Sequence, residues 1–569
     1  MKLPFISLPP KVRHLWRHFW LLTKPYWESE EKWRALGLLA LVIGLSLGLV
    51  FMNVQFNSWY NDFYNTLQKL DSVGFKASII KFTWLALIYI AIAVYALYFQ
   101  QMLEVKWRLW LTEYYISRWL HGQGYYRLQL TDQGTDNPDQ RIAEDVAQFV
   151  SSTLSISLGL LRSVVTLASF IGILWTLSGP ITLAGVTIPG YMVWVAIIYA
   201  LIGTIFTILI GRKLVGLNFQ QQRFEADFRF GLVRIRENAE SVALYRGENV
   251  EGGRLSARLG NVVANFWALM RMQKRLGWFT SFWGQLAIIF PILVAAPRFF
   301  AQKITLGGLM QINSAFGQVY GALDFIIGSF GSLANWKAVI DRLSTFREGL
   351  DVVENLPVLV PQRIGDSLDL SRISVNKPDG TQLVNEPAIR LNAGERLLIR
   401  GPSGCGKSTL LRALAGIWPY AEGAVSYPAQ GDVLFLSQKP YLPLGTLRTA
   451  LYYPHEPAND ADALLPLMYL AGLGHLVSRL DDTDQWSHIL SLGEQQRVAF
   501  IRALLVKPKL LFLDEASSAL DGKAEATLYA ALVERLPQSI LVSVGHRESL
   551  IAYHGRTLTW LAPADWQFA

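Results

Sequence analysis

The sequence predicts two domains in tandem, an α-helical membrane domain followed by an α/β domain. Three observations carry this. Of 569 residues, 51% are hydrophobic and only 17% are charged, against about 25% charged in an average soluble protein. Six apolar runs of membrane-spanning length lie before residue 345, and none comparable follows. Beyond it, short β-rich segments alternate with helical ones around a glycine-rich string.

The hydrocarbon core of a bilayer takes about 20 apolar residues per helix. Ala35 to Asn61 and Phe82 to Leu103 are charge-free runs of that length. Ser163 to Gly211 is charge-free but too long for one span, and Ser178-Gly179-Pro180 and Pro189-Gly190 supply the turn chemistry to divide it. Leu276 to Pro297 is the fifth run, and Ile304 to Leu323, continuing past Asp324 to Trp336, is the sixth. A soluble helical core does not account for six such runs confined to one part of the chain.

Charge placement orients the spans. Lys2, Lys11, Arg13, Arg17, Lys24, Lys32 and Arg34 precede the first, and the connection between the fourth and fifth is dense in Arg, from Arg212 to Arg275. The opposite loops hold little beyond Lys69, Lys76, Arg298 and Lys303. Basic residues collect on the cytoplasmic side, so both termini are expected in the cytoplasm. The formal net charge of +8 is thereby assigned to the membrane rather than to nucleic acid. Residues 1–34 read as a cytoplasmic or interfacial segment without a cleaved signal peptide. Its HLWRHFWLLTKPYW stretch fits either a helix against membrane lipid or an ordinary packed helix. The single cysteine, Cys405, allows neither an intrachain disulfide nor a cysteine-based metal site. The expected division is a membrane domain over 35–345, a linker over 346–365 punctuated by Gly349, Pro357 and Pro361, and an α/β domain over 366–569.

The most specific string is Gly401, Pro402, Ser403, Gly404, Cys405, Gly406, Lys407, Ser408, Thr409, a full match to the P-loop pattern. Its glycines turn backbone N–H groups toward phosphate, and Lys407 neutralises the β- and γ-phosphates of a nucleotide such as ATP, while Ser408 suits Mg²⁺. Leu510 to Leu513 read as an apolar strand ending in Asp514 and Glu515. Asp514 suits the Mg²⁺, and Glu515 suits polarising the attacking water.

Between these motifs, Leu490-Ser491-Leu492-Gly493-Glu494 resembles the LSGGQ signature of ABC ATPases, with Leu492 and Glu494 departing from it. Gln438, the Ser518-Ala519-Leu520-Asp521 segment and His546 stand where that family has its Q-loop, D-loop and H-switch. Ser543 to Arg547, Gly416-Ile417-Trp418-Pro419 and Asn137 to Asp145 are similar to YddA-type bacterial transporters. Those resemble SbmA/BacA-like peptide and cobalamin uptake proteins and the peroxisomal D subfamily of ABC half-transporters. The resemblance implies an exporter-type fold with six membrane helices in a homodimer of the bacterial inner membrane. It also implies ATP hydrolysis with Glu515, His546 and Gln438 as catalytic residues, Mg²⁺ at Ser408, Gln438 and Asp514, and Ser491, Gly493 and Glu494 reaching the partner's ATP. Arg236 to Tyr245 resembles the EAA-like segment of the D subfamily, or is a solvated charged helix face. The adenine-stacking aromatic that family members carry before the P-loop is missing from Asn376-Lys377-Pro378-Asp379-Gly380.

Arg162 and Asp324 interrupt apolar helices and are candidates for the transport pathway. At 1.5 Å per residue they lie roughly 24 Å and 30 Å inward from the outer turns, so they are expected to pair, to line an inward cavity, or to snorkel to the inner interface. The cargo is expected to be a small molecule or peptide. The rival readings are a proton-driven carrier with a regulatory or vestigial ATPase domain, and an exporter of lipophilic compounds. A soluble DNA-repair or translation ATPase is excluded by the six spans.

Overall fold

The structure, a computed structural model, describes residues 10–131, 137–183, 186–457 and 461–569. The first nine residues of the expected interfacial segment lie outside that set. The chain forms two compact units, one of Met1–Ile116 with Asp136–Arg347 and one of Ser117–Thr135 with Glu348–Ala569.

The first unit is helical because its runs are apolar all round, which only burial or lipid accommodates. Among the described residues, five helices are long and apolar enough to cross a membrane: Lys32–Gln68, Ser72–Leu130, Pro138–Ser178, Tyr191–Glu237 and Glu248–Phe300. The sixth run folds as Leu306–Gly328, and Phe330–Glu354 follows after a break at Ser329. The helix Glu248–Phe300 has 53 residues and continues through Pro291. At 1.5 Å per residue it reaches about 80 Å, well beyond a hydrocarbon core of about 30 Å. The long charge-free stretch divides at a short antiparallel pair, Ile181–Leu183 with Val186–Ile188.

Polar side chains tie these helices where apolar packing alone gives no register. Asn57 Nδ2 donates to the Gln311 carbonyl at 2.9 Å, and Asn61 Nδ2 to Gln311 Oε1 at 2.7 Å. Asp145, at the end of the Asn137–Asp145 motif, is 2% exposed and accepts from Arg141 at 2.7 Å and from both Nε and Nη2 of Arg342 at 2.9 and 2.6 Å. A buried carboxylate held by two guanidinium groups has its charge compensated, and removing either partner strands it.

The second unit is built on a six-stranded sheet. Edge to edge it runs Asp565–Phe568, Arg556–Ala562, Arg396–Arg400, Ile540–Val544, Leu510–Asp514 and Val433–Leu436, the last five parallel. Strands buried on both faces read as continuous apolar runs, and Leu510–Leu513 and Ile540–Val544 are fully buried. A second sheet of Gln362–Arg363, Ala421–Tyr427, Leu368–Asn376 and Gln382–Leu391 shares an apolar core with one face of the first and with the helix Lys407–Leu414. Residues 117–135, part of the stretch read as membrane domain, belong to this unit, where Leu130 joins the same core.

Candidate nucleotide site

Parallel register gathers the site. Val544 pairs with Ile399 and with Asp514, and Leu513 pairs with Leu436. The loop after Arg400, the pair Asp514–Glu515, Gln438 and His546 therefore emerge from the same carboxyl edge of the sheet, where open α/β sheets bind ligands.

Gly404 and Gly406 have φ of 83° and 109°, a backbone that L side chains rarely adopt. They let the loop curl onto the N-terminus of Lys407–Leu414. Lys407 Nζ donates to the carbonyls of Gly401 at 2.8 Å and Pro402 at 2.9 Å, so the ammonium is held inside the loop. Ser403 is exposed, Cys405 half-buried, and Ser408 and Thr409 open the helix. Ser408 Oγ donates to Asp514 Oδ1 at 2.9 Å. Burial pushes the Asp514 carboxyl above its ordinary range, and the neighbouring Glu515 adds to this, while the Ser408 hydrogen bond opposes it. A hydroxyl and a carboxylate at this separation are hard oxygen donors of the kind Mg²⁺ takes.

Glu515 has φ of 48°, unusual for a non-glycine residue. Its Oε2 accepts from Gln438 Nε2 at 3.2 Å, and its Oε1 lies 3.1 Å from His546 Nε2. Two further sequence-predicted residues, Gln438 and His546, thus meet around the Glu515 carboxylate.

Ser491, Gly493 and Glu494 stand apart. Ser491 caps the helix Leu492–Val506, and its N–H and Oγ both donate to Glu494 Oε2, at 2.9 and 2.7 Å. The Glu494 N–H returns to Ser491 Oγ at 3.4 Å, and Glu494 Oε1 lies 3.3 Å from His475 Nε2. Burial works against the Glu494 charge, but the Ser491 bonds and His475 hold the carboxyl below its usual range. The departure from the LSGGQ pattern is therefore a capping box, and S-x-x-E is its sequence signal. Among the described residues, no hydrogen bond joins Ser491 to Gly401–Ser408.

Near Asn376, Trp418 Nε1 donates to the Asn376 carbonyl at 2.9 Å, and the indole is buried against Tyr420. Arg162 and Asp324 are both exposed in the single chain, and no ion pair joins them among the described residues. Sequence reading missed Gln496, Arg547 and Glu525, which surround the site through contacts with no local pattern.

Residues 22–300 match the model for the ABC transporter transmembrane region 2, and residues 384–518 that for the ABC transporter family. An uncharacterized ABC transporter ATP-binding protein of Haemophilus influenzae is 35% identical over 97% of this chain and 93% of its own. The inner membrane ABC transporter ATP-binding protein YddA of Escherichia coli is 34% identical over 95% and 97%. The human lysosomal cobalamin transporter ABCD4 is 30% identical over 95% and 94%. A bacterial Atm1-family ABC exporter with ATP bound superposes with a TM-score of 0.69 at 18% identity, covering 94% of each chain, which shows the exporter-type fold. A membrane region and a nucleotide site joined in one chain, matched along their length by these relatives, have one reading: the protein belongs to the ABC transporters, as a multi-pass, D-subfamily-like half-transporter whose ATPase domain hydrolyses ATP to drive transport.

Proposed function

We propose that this chain works as a homodimer in the bacterial inner membrane, both termini cytoplasmic, moving a hydrophilic small molecule or peptide. The proposed division is an interfacial segment over 1–34, a membrane domain over 35–345 apart from the 117–135 stretch that groups with the second unit, a linker over 346–365 and an ATPase domain over 366–569. One observation carries the dimer. Lys407, Ser408, Gln438, Asp514, Glu515 and His546 converge on one edge of the sheet, while Ser491 makes its contacts elsewhere. Each chain then holds one nearly complete phosphate site and a separate signature helix for a second copy's ATP.

In this reading Gly401–Thr409 cradle the phosphates and Lys407 exchanges its loop carbonyls for phosphate oxygens. Ser408, Gln438 and Asp514 would hold Mg²⁺, which supplies charge neutralisation to the phosphates when bound. Glu515, oriented by Gln438 and His546, polarises the attacking water. Ser491, Gly493 and Glu494 present the N-terminus of the helix Leu492–Val506 to the partner's γ-phosphate. Arg162 and Asp324 line the pathway between the paired membrane regions.

The cobalamin named for the 30% identical human relative supports testing corrinoids first, with peptides beside them. Purified protein in liposomes of known sidedness is expected to move such a solute with ATP, and Glu515→Gln is expected to abolish it. Transport that survives Lys407→Met but stops with an uncoupler would instead identify a proton-driven carrier.

A further inference from the structure

The segment Ser517–Asp521 links the strand Leu510–Asp514 to the helix Gly522–Arg535, and two side chains hold it from opposite directions. Gln496 is 0% exposed and follows Ser491 by five residues on the helix Leu492–Val506. Its Oε1 accepts from the Ala519 N–H at 2.9 Å, and its Nε2 donates to Ser518 Oγ at 3.0 Å and to the Gln438 carbonyl at 2.8 Å. Both amide protons and the amide oxygen are thereby used.

Arg547 comes from the other side, directly after His546. It donates from Nη1 to the Leu520 carbonyl at 2.9 Å and from Nη2 to the Ser518 carbonyl at 3.0 Å. Nη1 also reaches Glu525 Oε2 at 3.2 Å. Glu525 is 1% exposed and accepts from the hydroxyls of Ser517 and Ser549, each at 2.7 Å. A carboxylate so buried is fixed by its partners, which fixes the guanidinium in turn.

This inference rests on the proposed dimer. There, Gln438 and His546 act on the ATP bound at the chain's own Lys407, while Ser491 acts on the partner's. Gln496 joins the Ser491 helix to the Gln438 backbone in one amide, and Arg547 joins the residue beside His546 to the same segment. Packed interiors pass small displacements on rather than absorbing them. We infer that Gln496 and Arg547 are positioning residues that clamp Ser518–Leu520 between the two half-sites and so couple hydrolysis at one ATP to engagement of the other.

The test uses the full-length protein in lipid nanodiscs. Gln496→Met keeps the volume and removes the three amide bonds. Arg547→Lys keeps a charge beside Glu525 but cannot fork to two carbonyls. Steady-state ATPase against ATP concentration, binding of a fluorescent non-hydrolysable ATP analogue and the thermal midpoint are measured for each variant and for the pair. The expected result is a kcat lower by about five-fold or more and a Hill coefficient falling toward one. Analogue affinity stays at the parent value, and the double variant is no worse than the worse single variant because both act on one segment. Parent-like kcat and cooperativity in both variants, a parent Hill coefficient of one, or loss of analogue binding in step with turnover would overturn the coupling. Glu515→Gln is run alongside. If it forms an ATP-trapped dimer while the variants behave as the parent, only the coupling fails; if no dimer forms, the shared-site reading fails and takes the coupling with it.

Discussion

Nε2 of His546 lies 3.1 Å from Oε1 of Glu515, while Gln438 Nε2 donates to the other oxygen at 3.2 Å. The carboxylate is thus held from both sides at the carboxyl edge of the sheet. Glu515→Gln preserves the shape and the Gln438 contact but removes the base. ATPase turnover is expected to fall by about 100-fold or more, with ATP retained and the thermal midpoint unchanged. An unaltered rate would remove Glu515 from the reaction.

Lys407 Nζ now bonds two loop carbonyls, at 2.8 and 2.9 Å. Lys407→Met leaves those carbonyls to water and gives the phosphates no cation. A charged hydrogen bond lost in this way weakens ATP binding by about ten-fold or more, measured by equilibrium binding of a fluorescent analogue. AMP, lacking the phosphates that Lys407 meets, is expected to be affected far less.

Glu494 holds the Ser491 hydroxyl through Oε2 at 2.7 Å, so its negative charge stands where the partner's γ-phosphate is proposed to approach. Glu494→Gln keeps an acceptor for the Ser491 N–H and removes that charge. The apparent ATP affinity of the paired form is expected to rise about two- to five-fold, read from the ATP dependence of dimer formation. A fall would show that the capping carboxylate is needed to shape the helix N-terminus.

Arg162 and Asp324 do not meet within one chain among the described residues. Their alanine variants are expected to act independently on transport, with effects adding to within about 0.5 kcal/mol in a double-mutant cycle. A larger coupling, or rescue by swapping the two charges, would establish a pair between subunits or in another conformation.

His554 is 8% exposed; its Nδ1–H faces the Leu550 carbonyl at 2.7 Å, so Nε2 accepts from Ser543 Oγ at 2.8 Å. Burial lowers its folded-state pKa below the ordinary 6.5. The unfolded chain therefore binds a proton first as pH falls, and stability present above about pH 6.5 is lost progressively below it. His554→Gln is expected to flatten this decline in the thermal unfolding of the full chain. An identical slope would show that His554 is not its source.

What the sequence determined by itself is whatever a short window encodes. Charge-free runs gave the membrane helices, Ser178-Gly179-Pro180 gave the turn that divides the longest of them, and the P-loop string gave its own strand and helix. These features rest on composition, turn chemistry and backbone freedom within a few residues. The tertiary structure decided which distant groups meet. Asp145 is held by Arg342 across 197 residues, and Gln438 reaches Glu515 across 77, because parallel register and helix packing bring together segments with no shared local signal. Glu494 lies between these cases: its capping pattern is legible in four residues, but its hold on the Ser491 hydroxyl is decided by the folded helix N-terminus. Gln496 and Arg547 belong wholly to the second kind. Nothing beside a buried amide or guanidinium in the sequence says which backbone groups it will satisfy; only packing excludes water and leaves those partners alone available.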